Sequence, residues 1–487
     1  MYRRRCGRPV YKASAGIDET PVCLMHSRDP NKDDAAFQAE FERILEAAGE
    51  GIADFTRFVF PSANYTGRIF AARCVFLRAT FTQAAWFAGA TFTQAAVFRY
   101  ATFTQAADFY GATFTRAADF REATFTQAAF FPRATFTQAA DFLFTRFTQA
   151  AFFYEATFTQ DAVFRYATFA QAAIFNEAKF MQVADFIGTR FLGPAEFRKT
   201  TFREDSGRDP GPIFTRAHFE KPEAVEFANV YLGQALFYRR DVSKVAFSNV
   251  GWRRRENGKW MLFEEVVSLD HWSAEFGLRP EKDMPDDRNY VVIAELYEQL
   301  KKNYDDRRDY WTAGDFHYGE MEMKRLHSPS RNRLVRWSHQ NLGLVAWYRY
   351  ASDYGENYVK PFLRLLLVLA LFTLIYPACG LHRVSSEEAS PSAPVGQTTS
   401  LAASTEEISY ASFLRFQRTY PDRRLRSATA FFGQSLMSTM SVASLRRDFA
   451  DYEPQSVSGR FAALIELLVT STLVALFLLA VRRQFRR

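Results

Sequence analysis

The sequence predicts a mainly β solenoid, followed by a helical linker and a two-helix transmembrane hairpin with a re-entrant segment. Three observations carry that prediction. Phenylalanine makes up 51 of the 487 residues. Twenty-five of these Phe stand on one unbroken series whose gaps alternate six and five, running from Phe70, Phe76 and Phe81 to Phe191, Phe197 and Phe202. Two apolar runs, Phe362–Leu381 and Phe461–Val481, reach the roughly 20 residues that a spanning helix needs.

Gaps of five and six match neither the 3.6-residue period of a helix nor the two-residue alternation of an ordinary meander. They match a coil with flat sides and corners. Two positions before each Phe stands a small residue: Ala in 20 cases, Cys74 once, Thr145, Thr189 and Thr200, with Arg68 the exception. Positions i and i−2 of a strand share a face, so each side turns one Phe and one small residue inward. Coils stacked about 4.8 Å apart then place Phe on Phe and Ala on Ala, while the intervening Thr and Gln face solvent. Two units make eleven residues, so four sides make a 22-residue coil, with the sixth residue of alternate units read as an extra corner residue. The register loosens through residues 205–212, which are expected to loop out, and resumes at Phe214, Phe219, Phe237, Val242, Phe247 and Trp252.

The recurring strings Ala-Thr-Phe-Thr-Gln and Ala-Ala-Asp-Phe resemble the pentapeptide-repeat family over about Ala63 to Trp252. That resemblance implies a right-handed quadrilateral β-helix. Some family members mimic DNA and bind topoisomerases, which requires an acidic surface. Tyr65 to Trp252 holds 20 Lys plus Arg against 16 Asp plus Glu, a net of +4, which argues against mimicry. The charges make no basic stripe, so no nucleic-acid partner is expected. A stacked solenoid presents an extended face for a protein partner.

Upstream, residues 1–60 read as a cap. Arg3, Arg4 and Arg5 precede no apolar stretch, so no secretory signal is expected. A helix is predicted from Asp33 to Ala48. Cys6, Cys23 and His26 have the donor chemistry of a structural zinc site, yet a closed site takes four ligands and three are present; the alternative is a plain cap over the first open coil, and no other cofactor is expected. Four Cys in this length make no disulfide framework, pointing to a reducing compartment for most of the chain.

Downstream, 253–360 reads as a helical coupling segment, with a helical hairpin packed on the end of the solenoid. Asp315, His317, Glu320 and Glu322 read as a solvated helix face. The chain has no glycine-rich phosphate loop, Gly-x-Ser-x-Gly elbow or His-Glu-x-x-His pair, so no enzyme is expected.

Residues 361–487 read as the membrane domain. Arg331, Arg333, Arg336, Arg349, Lys360 and Arg364 precede the first apolar run, and Arg482, Arg483, Arg486 and Arg487 follow the second. Positive charge favours the cytoplasmic side, which makes this a multi-pass protein of the cell (inner) membrane with both termini cytoplasmic and the Ser/Pro-rich stretch 384–407 outside. A shorter apolar stretch, 428–445, lies between the spans. Phe431-Phe432, Ser435-Leu436, Ser438-Thr439, Pro454, Gly459-Arg460 and Glu466 resemble the pore domain of potassium-channel-type proteins. That resemblance implies an oligomer, such as a tetramer, conducting monovalent cations. It aligns Ser441-Val442-Ala443-Ser444-Leu445 with the filter Thr-Val-Gly-Tyr-Gly, whose glycines let successive carbonyls face the ion. Both glycines are absent here. Two readings stay open: a channel-like pore lined by Ser438, Thr439, Ser441 and Ser444, or a non-conducting tether. Glu466 suits either permeation or a place behind the re-entrant helix.

Overall fold

The computed structural model describes residues 7–12, 17–18, 20–204, 210–266, 290–328, 330, 332–383, 407–419, 424–445 and 452–485. They form two compact units, Met1–His327 and Ser328–Arg487.

The first unit is a β-solenoid of about nine turns. Its short strands fall into four parallel sheets, each joining every fourth strand along the chain. The register between neighbouring coils is constant: Thr102 pairs with Thr124, Ala107 with Ala129 and Thr113 with Thr135. The ladder Phe side chains are buried, and each stacks on its counterpart in the next coil, as in Phe103–Phe125 (4.6 Å, 0°) and Phe114–Phe136 (4.8 Å, 0°). The solenoid starts ahead of residue 61: the first strand is Ile52–Asp54, and Phe55 and Phe60 extend the stack one coil upstream. Beyond Phe202 the register lengthens, since Ala184 pairs with Pro212. Pro212, expected in the loop, is therefore already in a strand, and residues 205–209 lie outside the described residues.

The two kinds of corner differ in how they close. In the five-residue unit the third residue, counted from the ladder Phe, has positive φ, recurring every eleven positions from Gly67 through Arg78, Tyr100, Glu122, Phe144 and Tyr166 to Lys199. The N–H that follows donates to the Phe carbonyl three residues earlier, as from Ala101 to Phe98 (2.9 Å), the pattern of a type II turn. Gly fills only four of these corners; the other side chains accept a left-handed backbone costing about 1 kcal/mol each. The sixth residue belongs to the other corner, Phe-Thr-Gln-Ala-Ala, which leans on the preceding coil. There Thr104 donates both its N–H (3.0 Å) and its hydroxyl (3.0 Å) to the carbonyl of Phe81. The same hydroxyl bond recurs at Thr82, Thr93, Thr115, Thr126, Thr137, Thr148 and Thr159. These threonines therefore do more than face solvent: each ties its coil to the one before. Where Thr replaces Ala inside the core, its hydroxyl is satisfied too, as Thr145 donates to the Phe120 carbonyl (2.8 Å).

Both open ends are covered. Helix α1 (Asp34–Ala48) is capped by the Asp33 side chain and buries Phe37 and Phe41 against Phe60 and Phe55. At the other end α2 (Tyr290–Asp306) and α3 (Tyr310–Leu326) form the expected hairpin. Asn303 Nδ2 donates to the carbonyls of Val242, Ser243 and Val245 (2.9, 3.0 and 2.8 Å), and Trp252 Nε1 donates to the Tyr304 hydroxyl (3.0 Å). The last coil's unpaired edge is thus met by side-chain donors.

In the second unit, α4 (Arg333–Leu342) and α5 (Leu344–Ser352) lead into α6 (Val359–Cys379); α7 (Tyr410–Thr419), α8 (Arg424–Ser444) and α9 (Val457–Phe485) follow. Helices α6 and α9 are long and apolar enough to cross a membrane. The first run ends earlier than its hydropathy suggests, because Gly380 turns the chain (φ +80°) and Leu381 enters a small antiparallel sheet formed by residues 381–383, 407–408 and 452–453. Of the expected outer linker, residues 384–407, only Glu407 is described, and it lies in that sheet; residues 384–406 are outside the described residues.

Candidate functional site

The residues aligned with a filter do not form one. Ser438, Thr439, Ser441, Val442, Ala443 and Ser444 are all helical, the last turns of α8. Within a helix a carbonyl accepts an N–H four residues on, except in the last turn, and side-chain hydroxyls add to this: Thr439 donates to Ser435 O (3.0 Å) and Ser444 to Met440 O (2.7 Å). Helical carbonyls point along the helix axis, whereas a filter needs successive carbonyls turned toward one ion. The cause is local sequence, since nothing between Gln434 and Ser444 is Gly or Pro to break the helix. Leu445 ends it, exposed and at φ +58°.

Three of the predicted polar residues are nonetheless brought into the packed interior. Ser438 donates to the Tyr452 carbonyl (2.7 Å), Thr439 lies 3.4 Å from the Thr373 hydroxyl, and Ser441 is buried near them. Ser435 donates to the Thr373 carbonyl (2.5 Å), fastening α8 to α6. Glu466 on α9 is fully buried, and its Oε2 accepts from the Tyr376 hydroxyl on α6, while Oε1 has no partner. Its visible role is a hydrogen bond between two helices, of a kind worth about 0.6 kcal/mol on average in a membrane.

At the N-terminal cap, Cys23 Sγ lies 3.0 Å from His26 Nδ1, and His26 Nε2 lies 3.2 Å from the Thr56 carbonyl. A proton on Nε2 suits that carbonyl and leaves Nδ1 to accept from the thiol, so both ring nitrogens have partners without a metal. Cys6 lies outside the described residues, and among those described no group of three His, Cys, Asp or Glu is placed to hold a metal.

The acidic residues of α3 are the clearest correction. Glu320 and Glu322 are buried rather than solvated. Glu320 pairs with Lys301 (2.6 Å) and Lys324 (2.5 Å), Glu322 with Arg325 (2.9 Å), and Asp315 with Lys259 (3.1 Å). Burial alone would raise the Glu320 pKa, but His317 beside it (3.5 Å) and the hydrogen bonds from Lys301 and Lys324 hold it well below the usual carboxylate range. Sequence reasoning missed a neighbouring group: Tyr297, buried on α2, bonds Glu265, Arg255 and the Leu262 N–H. Glu264 beside it accepts from the Phe237 N–H (2.6 Å), and burial pushes its pKa up to about 7. No spacing rule marks these residues, which converge from separate segments. They hold the hairpin to the solenoid end. An open hollow of about 370 Å³ lies by Arg239, Arg240, Asp241, Val292, Glu295 and Leu296, more polar than a typical small-molecule pocket.

The solenoid surface is uneven. The third sheet and the corner after it expose Trp86, Tyr110 and Tyr154, with Phe130 and Phe152 stacked at 5.1 Å beside them. The corner of that third sheet also carries the ion pair Arg133–Glu155 (2.7 Å), while the first sheet and its corner carry Arg121–Asp119 (2.6 Å) and Arg165–Asp185 (2.5 Å) beside an exposed Phe144–Tyr166 stack (5.2 Å). Aromatic residues of this kind are enriched in protein–protein interfaces, and on the third sheet they run from Trp86 through Phe130 to Phe152 with Asp108 among them.

The family model for "Pentapeptide repeats (9 copies)" matches residues 76–124, 98–145 and 131–179. Residues 76–179 carry pentapeptide repeats. This pentapeptide-repeat solenoid also aligns with solved structures. Two trypsin-treated structures of QnrB1, described as a plasmid-mediated fluoroquinolone resistance protein, align at 17% identity over 42% of this chain. The alignments cover 88% and 90% of those chains, with TM-scores of 0.25 and 0.16. No curated protein matches.

Proposed function

We propose that this chain is a membrane-tethered, non-catalytic scaffold whose pentapeptide-repeat solenoid, right-handed and four-sided, binds a protein partner. In this reading α6 and α9 span the inner membrane as a hairpin with both termini cytoplasmic. The observation that carries the reading is the aromatic strip through Trp86, Tyr110, Phe130, Phe152 and Tyr154. The helical state of residues 438–444 supports a tether over a selective pore. A photo-crosslinking amino acid at position 130 should give a discrete adduct in cells, and one at Thr113, on the threonine-lined side, should not. The adduct should survive replacement of both spans by an unrelated two-helix anchor. Equal labelling from both positions would sink the proposal.

A second reading rests on the buried hydroxyls of Ser438, Thr439 and Ser441 together with the half-satisfied Glu466. Polar groups inside spanning bundles are costly and commonly serve transport. It takes the chain as a channel-like homo-oligomer, a tetramer passing monovalent cations. Purified protein should then be oligomeric in detergent and give currents in planar bilayers that change with Glu466→Gln. A monomer with silent bilayers removes it.

A further inference from the structure

The two helices just ahead of the first span carry a surface that neither the tether nor the pore uses. On α4, Asn332 caps the first turn through Leu334 N–H (2.9 Å). Arg333, Arg336, His339 and Gln340 fall on one side of the helix and Leu334, Trp337, Ser338, Asn341 and Leu342 on the other. Leu334 is 78% exposed and Trp337 57%. Helix α5 continues the pattern after Gly343: Leu344 and Trp347, one turn apart on one face, are 88% and 63% exposed, while Ala346 and Ser352 are buried on the opposite side.

That opposite side packs on the start of α6 and the end of α9. Arg364 of α6 donates to the Ala351 carbonyl (2.8 Å), and Arg483 of α9 donates to the Tyr354 carbonyl (3.0 Å) and pairs with Glu356 (3.0 Å). Lys360 is taken by Asp353 (2.6 Å). The two acidic residues of this corner are therefore already paired, and the arginines of α4 face outward. The start of the span exposes further apolar residues, Val359, Phe362 and Leu363.

We infer that α4 and α5 form an interfacial helix pair that lies on an anionic phospholipid surface, with Trp337 and Trp347 in the headgroup layer and Arg333 and Arg336 meeting lipid phosphates. A basic polar face opposite a Trp/Leu face is what such helices require, and clustered arginine beside a spanning helix is drawn to anionic lipid. Lipid is the occupant because Arg364 fastens the end of α5 to the start of α6, which keeps the pair where the span leaves the membrane. The inference rests on the membrane-anchored reading.

The test is hydrogen exchange on the full chain in nanodiscs of phosphatidylcholine, with and without phosphatidylglycerol. Amides of 334–351 should exchange about 30-fold more slowly with the anionic lipid, the factor expected when two arginines reach such a surface. Arg333→Glu with Arg336→Glu should abolish the difference, and Trp337→Ser with Trp347→Ser should remove protection in both lipids. If α6 and α9 are protected while 334–351 exchange equally fast in both lipids, the interfacial pair is overturned alone. If α6 and α9 also exchange freely, the membrane anchor falls and takes the pair with it.

Discussion

The solenoid and the helical unit handle buried polar groups in opposite ways. In the solenoid one rule repeats: backbone groups bond the next coil, and each Thr hydroxyl after a ladder Phe bonds the coil before. In the helical unit every contact is individual, Ser435 to Thr373, Ser438 to Tyr452, Tyr376 to Glu466, and Glu466 Oε1 is left without a partner, as is Arg99 Nε in the solenoid. Repetition spreads stability evenly along the stack, so its weak points lie at the ends. A composite bundle has no even distribution and concentrates its risk at single residues.

The comparison can be broken most forcefully inside the stack. Phe125→Ala removes a ring sandwiched between Phe103 and Phe147 and should destabilise the solenoid by about 3–5 kcal/mol. Phe144→Ala, at an exposed corner, should cost within about 0.5 kcal/mol. Chemical unfolding followed by circular dichroism separates them, and equal losses would show that burial does not order the ladder.

The next effect is a pH dependence at the C-terminal end of the solenoid. Glu264 has a folded pKa raised to about 7 by burial, so the folded state holds its proton more tightly than the unfolded one. Its contribution is fully present below the unfolded pKa of about 4.5 and is lost as pH rises to about 7, up to about 3 kcal/mol. Glu264→Gln should flatten the stability profile over that window. Glu320 has the opposite sign: its lowered pKa stabilises above about pH 4.5 and is lost as pH falls further. A wild-type profile that rises between pH 5 and 7 would contradict the Glu264 assignment.

Asn303→Ala should cost about 1–3 kcal/mol, because the carbonyls of Val242, Ser243 and Val245 lose their donor. Loss of protection in hydrogen exchange should be confined to the last coil. The smallest change is Tyr376→Phe, which removes the hydroxyl on Glu466 and should lower bundle stability in bicelles by about 0.6 kcal/mol. A loss as large as that at Asn303 would mean the pair does more than join two helices.

The ladder was legible because its signal is spacing, repeated often enough that Thr145 or Cys74 in place of Ala does not blur it. The coil-to-coil register followed from the same spacing. The extra corner residue was legible from the six-residue gaps, but the left-handed turns of the other corners were not, since those positions carry Arg, Tyr, Glu or Phe more often than the Gly that would announce them. The Thr hydroxyl bonds were hidden because a polar residue flanking a strand looks the same whether it faces water or a neighbouring carbonyl. Glu320 and Glu322 read as surface because helix α3 alone does not reveal the lysine that α2 brings to it. At residues 441–444 a family pattern outweighed local propensity, and a run without Gly or Pro stayed helical up to Leu445.

Because each coil adds one strand spacing, about 4.8 Å, and both ends are closed by dedicated helices, the solenoid is a ruler with stops. Inserting one whole coil at a corner would move the α2–α3 hairpin away from α1 by one division at unchanged orientation. Inserting half a coil would turn it half-way around the axis, so the same aromatic strip would meet the hairpin from the other side. Length and facing can thus be reset independently by insertions that leave every buried contact of the same kind.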